Sequence, residues 1–344
     1  MPIKVRIPLK AIICNGLLSI FTIASLLFIL ELMLRADIIK NDFRGQSIST
    51  GETINPKYKI LILGDSFGKS LKDNLSAALA PYKVKLLNTS IPGMGPFEYL
   101  TEMKTWAVRF KPDITLLFYY AGNDLSNVQY NRQNRSDLKS RVFSFLRSAF
   151  HDLYIYRFYQ KKVESLMPRA FDYEKFRKTG IGPEMIELVK NNKVNPWLLE
   201  ASYVNKNYLV DNILIESEGN IKAWEKVKAL LKEVKKTADK VNSEFVIVII
   251  PATVQVNKSK YAFYESLKLN VDERMLLSDR PQALLKDFCG EQDIMCLDLL
   301  PYFKAAKVRE LYLENDDHLN EAGRGFAAKL TVDFLLEKTR LNEK

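Results

Sequence analysis

The chain has 344 residues, is 47% hydrophobic and carries a formal charge of +10. That apolar content excludes a disordered chain, which cannot bury enough surface to offset its lost entropy, and the length suggests about two domains. Net basicity bears on partners rather than fold; nucleic-acid binding would rest on charge alone, because no motif for it is present.

Lys4, Arg6 and Lys10 precede Ala11–Leu30, a run of 20 residues without a charge. A helix needs about 20 apolar residues to cross a bilayer. A removable signal core is shorter, about 7–15 residues, and ends at a pair of small residues. Here the run passes into Glu31-Leu32-Met33-Leu34-Arg35. The expectation is an uncleaved transmembrane anchor over residues 1–35 with a cytoplasmic N-terminus, the remainder lying outside the cytoplasm. Arg35 and Lys40 on the far side make the charge bias modest. Residues 36–57, with Gly45, Ser47, Ser49 and Gly51, read as a linker.

A domain over 58–344 follows. Apolar runs at Lys59–Leu63, Val84–Asn88, Ile114–Tyr120, Phe245–Ile250 and Cys296–Leu299 read as strands. Helical spacing appears over Phe67–Ala80, Phe97–Phe110, Ile221–Val241 and residues 319–337, with Trp224, Val227, Leu230, Leu231 and Val234 on one stripe of the third. Nearly continuous apolar strands alternating with helices predict a parallel sheet covered on both faces. Functional loops then sit at the carboxyl ends of the strands.

Residues 127–215 break this rhythm. No convincing strand occurs there before Tyr208-Leu209-Val210. Residues 131–180 hold twelve Lys or Arg against five Asp or Glu, interleaved with Phe143, Phe145, Phe150, Tyr154, Tyr156, Phe158 and Tyr159. This reads as a basic helical insertion or cap. Cys289 and Cys296, six residues apart, suit either a disulfide in an exported domain or two buried thiols, one ending a helix and one starting a strand. No metal-ligand spacing is present, and no organic cofactor is indicated.

The first strand ends in Gly64-Asp65-Ser66. A serine hydroxyl needs a base to take its proton, and the base needs a group to orient it. The chain has two histidines. His151 lies in the basic insertion and reads as a packing or surface residue. His318 lies in Asp316-Asp317-His318-Leu319-Asn320, where a carboxylate two residues back can bond one ring nitrogen and leave the other free. The same pentapeptide also reads as a helix start capped by Asn320. Candidate donors to a developing oxyanion are the Ser66 N–H, the loop Asn88–Gly95, whose glycines allow close backbone approach, and Tyr120-Ala121-Gly122-Asn123-Asp124.

The ordered set resembles the SGNH, or GDSL, hydrolases over residues 59–125 and 220–337. Ser66 in Gly-Asp-Ser matches the nucleophile block, Gly93 the glycine block, Asn123 the asparagine block and His318 the last block. The resemblance implies an α/β fold, a three-layer α/β/α sandwich around a central parallel sheet close to flavodoxin topology. It implies Ser66 as nucleophile, His318 as base, and an oxyanion hole of the Ser66 and Gly93 N–H groups with the Asn123 side-chain amide. Phe67 replaces the family's leucine, a departure read as harmless. The usual acid position holds Asn315. Asp316 instead matches the Asp-x-His variant of polysaccharide O-acetyltransferase relatives, with Asp317 in reserve. The expectation is a membrane-anchored serine esterase or O-acyltransferase acting on an acyl ester or glycan outside the cytoplasm. The alternative is a catalytically inactive protein of the same fold that binds glycan or serves envelope assembly. The sequence does not specify an oligomer.

Overall fold

The computed structural model describes residues 9–35, 48–49, 56–133, 173–306 and 310–342. Lys4, Arg6, most of the expected linker, His151 and the basic aromatic stretch up to residue 172 lie outside the described residues.

The chain divides into two compact units. The first is described only through α1 (Leu9–Arg35), a helix of 27 residues. Leu18, Phe21, Ile23, Leu26, Leu27, Phe28, Ile29 and Leu32 of this helix are exposed. Among the described residues, no helix is long and apolar enough to cross a membrane. The anchor over 1–35 therefore remains an expectation of the sequence.

The second unit is built on six strands: β1 (Ile48–Ser49), β2 (Tyr58–Leu63), β3 (Val84–Asn88), β4 (Ile114–Tyr120), β5 (Glu244–Ile250) and β6 (Met295–Asp298), in the order β1-β3-β2-β4-β5-β6. β1 pairs antiparallel with β3 at the edge, and the other five strands are parallel. Among the parallel strands, the first in the chain lies between the second and third. That is the flavodoxin-like order, whose switch point opens a crevice at the carboxyl end of the first strand. Here that end is β2, flanked by β3 and β4.

Helices cover both faces because successive strand residues point to opposite sides. Ile60 and Ile62 pack on one face with Leu71, Leu75, Phe118, Val248 and Leu335. Leu61 and Leu63 pack on the other with Tyr99, Met103, Trp224, Leu231 and Ile247. All seven residues of β4 are buried, which explains why it reads as an unbroken apolar run rather than an alternating one.

The helices beside the first strands are α2 (Ser66–Ser70), α3 (Lys72–Leu79), α4 (Pro96–Phe110) and α5 (Asp124–Gln133). The single helix expected over Phe67–Ala80 is thus interrupted at Leu71. Residues 173–214 form α6 (Tyr173–Arg177), α7 (Pro183–Lys190), α8 (Pro196–Val204) and α9 (Tyr208–Leu214). The strand suggested at Tyr208-Leu209-Val210 is instead the start of α9. Three adjacent apolar residues do not distinguish strand from helix; the burial of Leu209 and Ile213, four apart, follows the helical period. Phe176, Ile186, Val189, Leu198 and Leu199 enter the same core as β2, so the described part of the insertion packs against the sheet domain.

The remaining helices are α10 (Glu218–Asp239), α11 (Thr253–Val256), α12 (Tyr261–Ser266), α13 (Arg274–Leu277), α14 (Arg280–Gln292), α15 (Leu300–Ala305) and α16 (Glu321–Lys338). The Ser217 side chain caps α10 by accepting from Asn220 N–H, and Ala223, Trp224, Val227, Leu231 and Val234 form its buried stripe. β1 falls inside the expected 36–57 linker and was not foreseen; two residues carry no readable alternation. Cys289, in α14, and Cys296, in β6, are free thiols. The neighbouring Cys296 thiol, together with burial, pushes the Cys289 thiol up.

Candidate active site

β2 delivers the chain to the switch point of the sheet and stops at Leu63. Asp65 caps the helix that follows, its Oδ1 accepting from Phe67 N–H at 2.9 Å. Ser66 therefore opens α2 at the strand-to-helix turn. The turn is compact: a Cβ placed on Gly68 would lie 2.5 Å from Ser90 Oγ, so glycine is required there for the next loop to approach.

That loop follows β3. Thr89 N–H donates to Ile62 O (2.9 Å) and Ile91 N–H to Gly64 O (3.3 Å). Asn88 Nδ2 donates to Gly68 O at 2.8 Å. The loop is thus laid along the nucleophile turn. Gly93 adopts φ +78°, with open space where a side chain would stand; this left-handed conformation favours glycine. Gly93 joins the site through its loop.

His318 arrives from the other end of the chain. Tyr312 and Leu319 form an isolated bridge, Leu313 N–H donates to His318 O (2.9 Å) and Asn320 N–H to Leu311 O (3.0 Å). The closed turn between them carries Asp316, Asp317 and His318. Asn320 also caps α16 through Gly323 N–H at 2.9 Å, so the helix-start reading holds alongside the base geometry. Lys260 Nζ donates to Leu313 O (3.2 Å) and Glu314 O (2.8 Å) from beneath.

The two ends meet. His318 Nε2 lies 2.7 Å from Ser66 Oγ, across 252 positions of chain. Nδ1 lies 2.8 Å from Asp316 Oδ1 and 3.2 Å from Asp317 Oδ1. The tautomer with hydrogen on Nδ1 satisfies both sides, donating to the acids while Nε2 accepts from the serine hydroxyl. The imidazole stacks on Phe67, ring centroids 5.0 Å apart and planes 19° off parallel. Phe67 in turn meets Tyr120 at 3.9 Å. Phe67 is thus the platform on which the ring rests.

The electrostatics follow from burial and pairing. Burial opposes ionisation of Asp316, but hydrogen bonds from His318 and Asp317 outweigh it and hold this carboxyl well below the usual range. At Asp317 burial prevails over the neighbouring imidazole and the carboxyl is pushed up. Burial would lower His318; the charge of Asp317 and the hydrogen bond to Asp316 reverse this and raise it well above an ordinary imidazole.

Asn123 follows β4. Its Nδ2 donates to Asp65 Oδ2 at 2.9 Å, and its Oδ1 is buried without a protein partner. Asp65 is fully buried, and burial pushes it up to about 6 against the opposing bonds from Asn123 and Phe67. Beneath it Asp124 accepts from Tyr99 Oη (2.7 Å) and Tyr120 N–H (2.9 Å), and burial raises it further. Ser66, His318, Asp316 and Asp317 are therefore contiguous, and Asn123 reaches the nucleophile turn through Asp65. Sequence reasoning missed Asp65, Lys260 and the platform role of Phe67. Asp65 stood inside the quoted Gly-Asp-Ser, but Lys260 carries no motif.

Among the described residues, one group of three metal-capable side chains lies close together: Asp316, Asp317 and His318. Nδ1 is already bonded to both carboxylates and Nε2 to Ser66, so the cluster is satisfied internally and gives no indication of a metal site.

No protein-family model matches the chain, and no curated protein matches it. Among solved structures, it is similar to the acetyl xylan esterase AlAXEase, at 11% identity over 80% of this chain and 98% of that one, TM-score 0.41. It is similar to an Axe2 mutant, an acetylxylan esterase from Geobacillus stearothermophilus, at 10% identity over 84% and 98%, TM-score 0.41. It is also similar to a lipolytic protein of the G-D-S-L family from Desulfitobacterium hafniense, at 9% identity over 81% and 100%, TM-score 0.40. At these scores and identities nothing about activity follows from the likeness.

Proposed function

We propose that this chain is a serine esterase or O-acyltransferase of the SGNH type, with Ser66 as nucleophile, His318 as base and Asp316 as the principal orienting acid. The observation that carries this reading is the unbroken hydrogen-bonded relay Ser66 Oγ–His318 Nε2 (2.7 Å) and His318 Nδ1–Asp316 Oδ1 (2.8 Å). Nε2 takes the hydroxyl proton as Oγ attacks an ester carbonyl. The tetrahedral oxyanion is received by the Ser66 and Gly93 N–H groups and by the Asn123 N–H not engaged with Asp65. Collapse breaks the ester C–O bond, and His318 returns the proton to the leaving alkoxide. Water or a sugar hydroxyl then attacks the acyl-enzyme, losing its proton to Nε2, and Ser66 is regenerated. Asp316 remains ionised and steadies the imidazolium that forms twice per cycle.

The substrate class is an acyl ester outside the cytoplasm, borne on a cell-surface polysaccharide. The uncharged run Ala11–Leu30 and the exposed apolar residues along α1 support an N-terminal anchor. The test is Ser66→Ala. Hydrolysis of a chromogenic acetyl ester is expected to fall about 10⁴–10⁶-fold, and a fluorophosphonate probe should label wild type at Ser66 and leave the variant unlabelled. Wild-type turnover in the variant, or a folded wild type that resists the probe, would overturn the proposal in favour of a binding protein. Competing oligosaccharide against water for the acyl group separates transferase from hydrolase.

A further inference from the structure

Among the described residues of the insertion, Asn195 reaches the site. Asn195 Nδ2 lies 3.3 Å from Asp316 Oδ1 and 3.5 Å from Asp317 Oδ1. Its Oδ1 is occupied elsewhere, accepting from Trp197 N–H at 3.1 Å as the cap of α8. The cap fixes which way the amide faces: the oxygen is committed to the helix, so the NH₂ is presented to the two carboxylates. The turn itself is seated, because Val194, Leu198 and Leu199 are buried in the core shared with β2 and Phe67. Asp316 and Asp317 both address the same imidazole nitrogen, so two acids that would repel one another are held 2.8 and 3.2 Å from one atom. A donor between them offsets that repulsion.

We propose that Asn195 is a positioning residue, an amide bracket from the insertion that spans Asp316 and Asp317 and holds both against His318 Nδ1. This rests on the esterase reading of the site but is read out without it. The charged and titratable groups around the cluster are Asp65 from the nucleophile turn, Tyr120, Tyr264 and Tyr312 around the acids, and Lys260, whose ammonium is engaged by the Leu313 and Glu314 carbonyls of the same loop.

Capping and bracketing are separable by substitution. Asn, Asp and Ser cap helices about equally well. A cap-only role predicts that Asn195→Ser behaves as wild type, whereas in Asn195→Asp the added charge acts on His318 through space. The bracket predicts that neither variant behaves as wild type, because serine is too short to span the acids and aspartate adds a third negative charge. The experiment measures the full chain in two ways. Nitrogen-15 NMR of the histidine side chains, of which the chain has two, follows His318 titration directly. Esterase kinetics gives kcat and KM. Asn195→Asp is expected to raise the His318 midpoint relative to wild type and to move the acidic limb of kcat/KM upward with it. Asn195→Ser is expected to lower kcat about tenfold with KM little changed and a thermal midpoint close to wild type, and Asn195→Asp to lower kcat further. An unmoved His318 midpoint in Asn195→Asp overturns the bracket, whether or not the protein proves to be an esterase. Wild-type kcat in Asn195→Ser overturns it too. An inactive wild type with a shifted midpoint in the aspartate variant leaves the bracket standing and overturns the esterase reading instead.

Discussion

The two halves of the site are held by different means. The nucleophile half is a strand end, and the backbone does much of the holding: Thr89 N–H on Ile62 O, Ile91 N–H on Gly64 O and Lys69 N–H on Asp65 O, over a floor of fully buried Ile62, Leu63 and Phe67. The base half is a loop, and side chains contribute much of the holding: Lys260 to two carbonyls, Asn320 Nδ2 to Glu310 O and Tyr312 O, and Tyr312 Oη to Pro251 O. A strand in the middle of a sheet keeps its course through most single substitutions. A loop held by named donors does not. Mutations that leave the chemistry intact should therefore hurt the histidine side more than the serine side.

The largest effect should erase that contrast. His318→Ala removes the base itself and is expected to match Ser66→Ala, each losing about 10⁴–10⁶ in kcat, with the double variant no worse than either. Additive losses in a single-turnover assay would show that the two do not act as one unit.

The acids divide the next largest effect. Replacing a lone triad aspartate by asparagine costs about 10⁴ through the wrong tautomer. Here Asp317 stands 3.2 Å from the same nitrogen, so Asp316→Asn should lose about 10²–10³, Asp317→Asn about tenfold, and the pair the full 10⁴. The pH profile carries the sign. His318 must be neutral to act, and both acids raise its pKa, so the acidic limb of wild-type kcat/KM should lie above the ordinary imidazole value of about 6.5. Each Asp→Asn change removes negative charge and should move that limb to lower pH, Asp316→Asn and Asp317→Asn alike. A limb that does not move in either variant would detach the acids from the base.

The same contrast explains what was legible in the sequence. Ile60–Leu63 is apolar because both faces of β2 are buried, and Gly64-Asp65-Ser66 interrupts it where the sheet ends; a local pattern records a local cause. His318 was found because the chain has one other histidine and because Asp316 sits two residues away. Lys260 and Asn195 were not legible. Their partners lie 53 and 121 positions distant, and a lysine or asparagine bracing a remote loop looks the same in sequence as a solvated one. Phe67 was read as an ordinary replacement for leucine because ring stacking on His318 depends on a residue 251 positions later.

Lys260 offers a sharper probe of the loop half. Its side chain is nearly buried, and Lys260→Met keeps the aliphatic stem while removing the ammonium from Leu313 O and Glu314 O. Hydrogen bonds to charged groups contribute about 1.5–3 kcal/mol, so the variant should lose a few degrees in thermal midpoint and about tenfold in kcat, with slower fluorophosphonate labelling. Loss of stability without loss of labelling rate would mean that the loop keeps its geometry unaided.

The smallest effect lies under the serine and is read as stability rather than rate. Asp65 is fully buried, and its pKa is raised from 3.8 to about 6. A carboxyl whose folded value exceeds its unfolded value binds its proton more tightly in the native state. Its stabilising contribution is therefore complete below about pH 4 and is lost as pH rises through about 6. In an Asp65→Asn variant the introduced amide oxygen can still accept from Phe67 N–H, and the introduced NH₂ would face Asn123. Turning the Asn123 amide would give Oδ1, now buried without a protein partner, a donor. The variant should thus be close to wild type near pH 4 and gain on it by about 1–3 kcal/mol by pH 7, in urea unfolding of the full chain. Asp124, raised in the same sense, keeps part of the slope in both proteins, so only the difference between the two curves belongs to Asp65. If the two curves stay parallel from pH 4 to 8, Asp65 has the same pKa in the folded and unfolded chains, and the bonds from Asn123 and Phe67 fully offset its burial.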